Sequence, residues 1–400
     1  VTIEWFDEQI LRLTEIRRKT VAGLLEGHSV KAGAAELEGV QRLFLALPRE
    51  GGRYRLKDGS GRDVPFDLSY ELDEIEKDLI FLREGETALE AHLAQIRPEH
   101  EEEVKRIAEV LLLEGPFDVF VSDRDGTVNN YCARYLSSLQ SAYNALYLCR
   151  FARRCSARSL LLTSAPLAGG GIVDVSVMPE GVFAYAGSKG REYRDEQGGN
   201  GRMAVAAGQQ VILDELNNRI QQLLERSEYR IFARIGSGFQ RKFGQSTVAR
   251  QDMIESVSPQ RSQDMLERVR AIVQRVDPAG TQLTVEDTGS DIEVMLNQDT
   301  SPDGRAGGEF DKGTGLAYLD TVLGLGLTGK SVLVCGDTRS DLAMVRELAS
   351  RRAHTMTVFV TSNEMLRREV LAIDGQAQFV SSPDSLVSAL NSAATASQGR

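Results

Sequence analysis

Apolar positions recur at three- and four-residue spacing in the first 113 residues, as Ile3, Phe6, Ile10 and Leu13, and again as Leu72, Ile75, Leu79 and Leu82. That period gathers each set on one face of a helix. Between them "KAGAAELEGVQRLFLAL" supplies a third helix, and the Gly-rich "PREGGRYRLKDGSGRD" at 48–63 a loop or hairpin. Residues 1–113 therefore predict a three-helix domain, either a self-contained bundle or a coiled-coil-like arm for self-association or partner docking. A self-contained bundle implies that a chain starting near Glu114 keeps its site.

After Pro116 the period changes. "FDVFVSD", "SLLLTSA" and "GVFAYAGS" are short apolar runs expected as strands, and "RYLSSLQSAYNALYLCRFARRC" is a helix between them. Such alternation predicts parallel β/α units. From 196 to 302 the order becomes helix, strand, strand, helix, strand, strand, the first strand being "IFARIGSG", which is an α+β pattern. The parallel texture returns with "KGTGLAYLDTVLGLG", "SVLVCGD", "SDLAMVRELASR" and "TMTVFVT". The economical organisation is a core in two parts, 114–195 and 303–390, with 196–302 inserted. The small, polar residues 391–400 predict a disordered tail.

The composition excludes several function classes. At 400 residues the chain has room for two or three domains and a buried core. With no apolar run near the roughly 18 residues of a membrane helix, no span is expected. A net charge of −11 argues against a nucleic-acid backbone as partner, so an anionic substrate must be met by a local cation or a metal. Four cysteines without metal-type spacing fit a reducing, cytoplasmic setting. The opening "VTIEWFDEQ" lacks the layout of a signal peptide, and the missing initiator methionine leads one to expect a segment upstream of Val1.

Chemistry concentrates where strands end. "FDVFVSDRDGTVNN" places Asp123 and Asp125 just past an apolar run, followed by Gly126 and Thr127. A calcium loop counted from Asp123 would need Asp or Asn at its fifth position, Gly at its sixth and Glu at its twelfth, where Thr127, Val128 and Arg134 stand. A second equivalent Asp segment, which an aspartic protease requires, is absent. Phosphoryl transfer through a carboxylate nucleophile remains: the first Asp attacks phosphorus and the second protonates the leaving oxygen. Gly126 permits a tight turn and Thr127 adds a hydroxyl. An anion attacking an anion must be neutralised. "VLVCGDTRSD" brings Asp337 and Asp341, which can hold Mg²⁺. Thr163 ends a third run, where its hydroxyl can hold a phosphate oxygen, and "FDKGTG" supplies Lys312 before a helix. A lone Asp after a strand is usually a turn residue or cap; the signal lies in the set and its order.

In that order these residues resemble the four motifs of the haloacid dehalogenase superfamily: "DRDGT", Thr163, Lys312 and "GDTRSD". Within it, "SDRDGTVNNYCARY", "AGSKGREY", "GFQRKFGQSTVARQD", "DIEVML" and "FDKGTG" resemble the trehalose-6-phosphate phosphatase family, in particular its nematode-type members with an added N-terminal helical domain. The resemblance covers about 115–385 and implies a Rossmann-like α/β core with an inserted C2-type α+β cap. It implies Asp123 as nucleophile, Asp125 as general acid and base, and Thr163 and Lys312 as their catalytic partners. Mg²⁺ would sit between Asp123, the Asp125 carbonyl and Asp337, with Asp341 in support. Thr127, Lys189, Gln240, Lys242, Arg250 and Glu293 fall where the family binds substrate. Many relatives have Glu-x-Lys where this chain has Gln240-Arg241-Lys242, and His where it has Lys189. The implied activity is hydrolysis of trehalose 6-phosphate. A mannosyl or sucrose phosphate substrate is the nearer alternative, and a non-catalytic sugar-phosphate-binding or partner-docking protein on the same fold the further one.

Two decoys fall away on context. "GLGLTGKS" at 324–331 fits the P-loop pattern, and GxGxxG more weakly, but a P-loop follows a strand and opens a helix, and here the order is reversed. His28, His92, His100 and His354 lie away from every strand-end motif and are expected as surface or core residues.

Overall fold

Thr2 caps the first helix by accepting from the Trp5 N–H at 3.3 Å, and α1 (Ile3–Leu25) buries the face its period marks, Ile3, Phe6, Ile10 and Leu13. The computed structural model describes residues 1–28, 31–59, 61–204, 207–297 and 310–397. After α2 (Lys31–Leu45) the Gly-rich segment forms more than a hairpin: β1 (Arg49–Glu50), β2 (Arg53–Lys57) and β3 (Asp63–Phe66) make a small antiparallel sheet. Three more helices follow, α3 (Ser69–Glu84), α4 (Glu86–Ile96) and α5 (His100–Glu114). The expected three helices are thus five among the described residues. Gly85, at φ 90°, separates α3 from α4 in a conformation other residues resist.

The core sheet is built from β4 (Phe117–Ser122), β5 (Ser156–Leu162), β6 (Ala184–Gly187), β7 (Glu192–Arg194), β8 (Asn200–Arg202), β13 (Ser331–Gly336), β14 (His354–Val360) and β15 (Gln378–Val380). Its order is β15-β14-β13-β4-β5-β6-β7-β8, parallel from β15 to β6 and antiparallel beyond. The chain runs outward from β4 through β5 and β6, then restarts on the other side at β13. That reversal opens a crevice at the carboxyl ends of β4 and β13, where open α/β sheets bind ligands. Helices α6 (Ala142–Cys155), α7 (Ile172–Val175), α10 (Lys312–Leu323), α11 (Leu342–Ser350), α12 (Glu364–Leu371) and α13 (Pro383–Ala396) complete the core.

The insertion carries α8 (Ala207–Leu224) and α9 (Pro259–Val276) behind an antiparallel sheet of β9 (Phe239–Lys242), β10 (Gln245–Ala249), β11 (Leu283–Asp287) and β12 (Asp291–Leu296), ordered β11-β12-β10-β9. Ile292 and Val294 are buried and alternate with the half-buried Asp291, Glu293 and Met295. One face therefore packs on the helices and the other is polar. No helix among the described residues is long and apolar enough to cross a membrane.

Several expectations change. "IFARIGSG" is a buried 3-10 turn, Arg230–Ala233, with Ile231, Phe232 and Ile235 packed inward; Gly236 and Gly238, at φ 50° and 65°, break extension. The helix expected from Arg134 starts at Ala142, because its cap comes from elsewhere: Asp78 on α3 accepts from the Ala142 and Tyr143 N–H groups at 2.7 and 3.1 Å. The same buried carboxylate holds the buried Arg17 of α1 at 2.7 Å. β8 still belongs to the core sheet, so the cap's elements begin at Ala207 rather than 196, while the boundary at 302–303 lies outside the described residues. Residues 391–396, expected as disordered tail, continue α13, where Ala393 and Ala394 are buried and Asn391 donates to Glu86 at 3.0 Å; 398–400 lie outside the described residues. The P-loop look-alike is a turn between α10 and β13, as its order implies.

Candidate active site

Asp123 follows the last residue of β4, and its N–H donates to the Cys335 carbonyl of neighbouring β13 at 3.0 Å. The ladder therefore fixes where the first carboxylate lies relative to the Asp337 segment. Buried Lys312, the first residue of α10, donates to Asp123 at 2.7 Å and to Asp341 at 2.6 Å. A cation at a helix N-terminus opposes the dipole; the two carboxylates offset it. The α10 cap Asp311 accepts from Thr314 N–H at 2.8 Å and sets the start of the helix. Gly315 lets that first turn approach the Lys189 carbonyl, a position where a Cβ would collide.

Carboxylate oxygens of Asp123, Asp337 and Asp341 lie within 4.8 Å of one another. Asp341 is anchored by accepting from the Asp337 and Thr338 N–H groups at 3.1 and 2.9 Å. Thr127 Oγ1 and Tyr131 Oη donate to Asp337 at 2.9 and 2.8 Å. Burial pushes the Asp123 carboxyl well above its ordinary range against the pull of Lys312, with the charges of Asp341 and Asp337 adding to the rise. Burial and the Asp341 charge likewise raise Asp337 to about 6, although Tyr131, Thr127 and Lys312 oppose them. Three acids crowded in this way suit a hard divalent cation, whose oxygen ligands they supply.

The Asp125 side chain is outside that cluster. It accepts from Ser138 Oγ at 2.9 Å and pairs with the buried Arg124. Gly126, at φ 85°, donates to the Asn129 carbonyl at 2.7 Å, and a Cβ there would strike Asp337 and Tyr131. Thr163 lies just past the end of β5, and its carbonyl accepts from Lys189 N–H at 2.9 Å, so these two residues are fixed together.

The cap reaches this floor at a tight seam. Ser188 Oγ accepts from Phe243 N–H at 2.9 Å, and Arg191 donates to the Phe243 carbonyl at 3.1 Å. Pairing puts Gln240, Thr247 and Glu293 in one row of the cap sheet and Lys242, Gln245 and Met295 in the next, all on the polar face. Burial draws the Lys242 ammonium below its usual range against Glu293 and Asp291, and the charge of Lys189 acts in the same direction as burial.

Arg250 does not join them. Just past β10 it turns to the helix side, donating to Ser262 of α9 at 2.9 Å and pairing with Asp287 at 2.6 Å. A one-residue step along a strand exchanges faces. The sequence reading also missed Tyr131, Arg124, Ser138 and Asn130. "DRDGTVNNYCARY" contains most of them, yet nothing local distinguishes a residue that folds back onto the cluster from a turn residue. Among the histidines, His100 is buried between Glu90 and Ser385 at 2.9 and 3.1 Å.

Comparison with known proteins matches the chain in two stretches. A model described as trehalose-6-phosphate phosphatase, C-terminal, matches residues 120–386. One described as the trehalose-6-phosphate phosphatase N-terminal helical bundle domain matches residues 2–99. The trehalose-phosphatase of Brugia malayi is 33% identical over 309 residues, covering 73% of this chain and 60% of that protein. Alpha,alpha-trehalose-phosphate synthase (UDP-forming) 2 of Caenorhabditis elegans is 31% identical over 413 residues, covering 97% of this chain. The chain spans about a third of the length of such synthases, 33% in that case. A solved structure of Aspergillus fumigatus trehalose-6-phosphate phosphatase aligns with TM-score 0.41 and 15% identity, over 73% of this chain and 97% of that one. With both family models matching in tandem, the first over the helices and the second from β4 through the start of α13, the chain belongs to the trehalose-6-phosphate phosphatase family.

Proposed function

We propose that this chain is a Mg²⁺-dependent phosphatase that hydrolyses trehalose 6-phosphate to trehalose and phosphate through an aspartyl-phosphate. The observation that carries the reading is buried Lys312 bridging Asp123 and Asp341 beside Asp337, at the crevice where the core sheet reverses. Lys312 holds the Asp123 carboxylate in place, and its charge offsets part of the repulsion an incoming phosphate would meet. Asp123 attacks phosphorus; the ester bond to the sugar oxygen breaks, and that oxygen takes a proton from Asp125. For this Asp125 exchanges its Ser138 contact for the leaving oxygen. The ionised Asp125 then takes a proton from water as that water attacks the phosphorus, releasing phosphate and restoring both acids. Thr163, just past the end of β5, would hold a phosphate oxygen through its hydroxyl.

The donor set fits a metal. Asp123, Asp337 and the Asp125 carbonyl would hold Mg²⁺, with Asp341 behind them, and the ion would supply positive charge to the transferring phosphoryl group. The polar cap face of Gln240, Lys242 and Glu293 is where sugar hydroxyls would be read, since a neutral disaccharide offers hydrogen bonds and no charge.

Phosphate release should be measured across a panel of sugar phosphates with Mg²⁺ and with EDTA. Trehalose 6-phosphate should turn over fastest, EDTA should abolish release, and Mg²⁺ should restore it. Preference for a mannosyl or sucrose phosphate would overturn the substrate, and full turnover in metal-free buffer the metal.

A further inference from the structure

The loop that carries the aspartates leans on the helical domain. Tyr70, Glu71 and Glu74, one turn of α3, face it. The Asn129 side-chain amide donates to Tyr70 Oη at 3.0 Å, Arg134 donates to Glu71 at 2.6 Å, and the Asn130 amide donates to Glu74 at 3.0 Å. All three acceptor residues are buried. Asn130 also donates to Asp384 at 2.8 Å, and Lys77 ties Glu74 to Asp384 at 2.7 and 2.9 Å, so α3 and α13 grip the same amide. The consequences reach the acids in two steps. The Asn129 carbonyl receives the Gly126 N–H, next to Asp125, and Asn130 precedes Tyr131, which donates to Asp337.

Resting on the phosphatase reading above, we infer that Glu74 and Tyr70 of the helical domain are positioning residues for the phosphoryl transfer, holding the 124–134 loop so that Asp125 and Asp337 keep their places. Both act through their bonds to the loop, at Asn129 and Asn130. A merely structural contact would lower stability and leave turnover per folded molecule unchanged; a positioning contact lowers kcat. Small misplacements at this range cost up to about a hundredfold.

The test uses the full chain with Glu74→Ala and Glu74→Gln, assayed on trehalose 6-phosphate and on p-nitrophenyl phosphate, with hydrogen exchange of the 124–134 loop. Glu74→Ala should lower kcat about tenfold on both esters, with KM within about twofold, and speed exchange of the loop. Glu74→Gln, which keeps an oxygen for Asn130, should restore most of both. Should Glu74→Ala fail to fold, Tyr70→Phe removes only the hydroxyl and should lower kcat severalfold with KM unchanged. An unchanged kcat, a loss confined to KM, or no rescue by Gln would overturn the inference. A wild-type chain inactive on both esters would overturn the phosphatase reading instead, and loop exchange in Glu74→Ala would still decide whether α3 holds the loop.

Discussion

Asp123 and Asp125 are two residues apart yet stand in different surroundings. Asp123 is buried against Lys312 and the other acids, whereas Asp125 keeps a partly exposed side chain on Ser138 and Arg124. Their roles should separate accordingly. Asp123→Asn should bind substrate and lose the nucleophile; Asp125→Asn should leave attack possible and deprive the departing oxygen of its proton. Steady-state kinetics should show kcat falling by about a hundredfold or more in each. In the cap, Lys242→Ala or Glu293→Ala should cut kcat/KM for trehalose 6-phosphate about tenfold or more, the scale of one charged hydrogen bond, and leave p-nitrophenyl phosphate nearly unaffected. Equal losses on both esters would assign these residues to folding or chemistry. Arg250→Ala, by contrast, removes a bond within the cap and should act on its stability. The core motifs were legible because each stands at a strand end or helix start, where a local pattern fixes its place. Arg250 was misread because one step of register decides which face a side chain takes.

Between elements, ion pairs do the joining. Lys77 of α3 meets Asp384 of α13, a carboxylate that burial alone would raise but that Lys77, Tyr143 and Asn130 together hold below the ordinary range. A depressed folded pKa contributes stability that is complete above the unfolded value and lost as pH falls through the folded one. Thermal unfolding should therefore separate wild type from Asp384→Asn at neutral pH, with the gap closing below about pH 4. A gap of the same size at pH 2 as at neutral pH would mean the carboxylate's charge contributes little. Contacts of this kind left no trace in the sequence. Asp78 caps a helix 64 residues further along, and Asn130 meets Glu74 and Asp384 at separations of 56 and 254 residues. Periodicity reports which face of an element is apolar and is silent on its partner.

Over the whole molecule, the helices are less separable than their composition suggests. α5 packs along α13, α1 along α6, and α3 holds the aspartate loop. The cap is joined as well: Arg234 pairs with Asp7 of α1, and Arg53 donates to the Ile254 carbonyl at 2.8 Å. A chain starting near Glu114 would expose the apolar faces of α6 and α13 and take from Asn129 and Asn130 their bonds to Tyr70 and Glu74, leaving the Asn130 amide held by Asp384 alone. In place of an intact site, the expected outcome is a protein that aggregates or, if soluble, turns over at least tenfold more slowly, because the loop loses its support. A soluble truncation with wild-type kcat would restore the view of a separate bundle. The domain order and the inserted cap were visible in the alternation of periods; the docking between them was not, since it rests on side chains distant in sequence.

The central claim is that Asp123 carries the phosphoryl group, and chemical trapping tests it most directly. The full chain should be mixed with trehalose 6-phosphate and Mg²⁺, quenched during turnover and treated with borohydride, which reduces an acyl phosphate to the alcohol. Peptide mass spectrometry should then find homoserine at position 123, and only when substrate and metal are both present. Steady turnover with position 123 unmodified, or homoserine at Asp337 instead, would contradict the assignment.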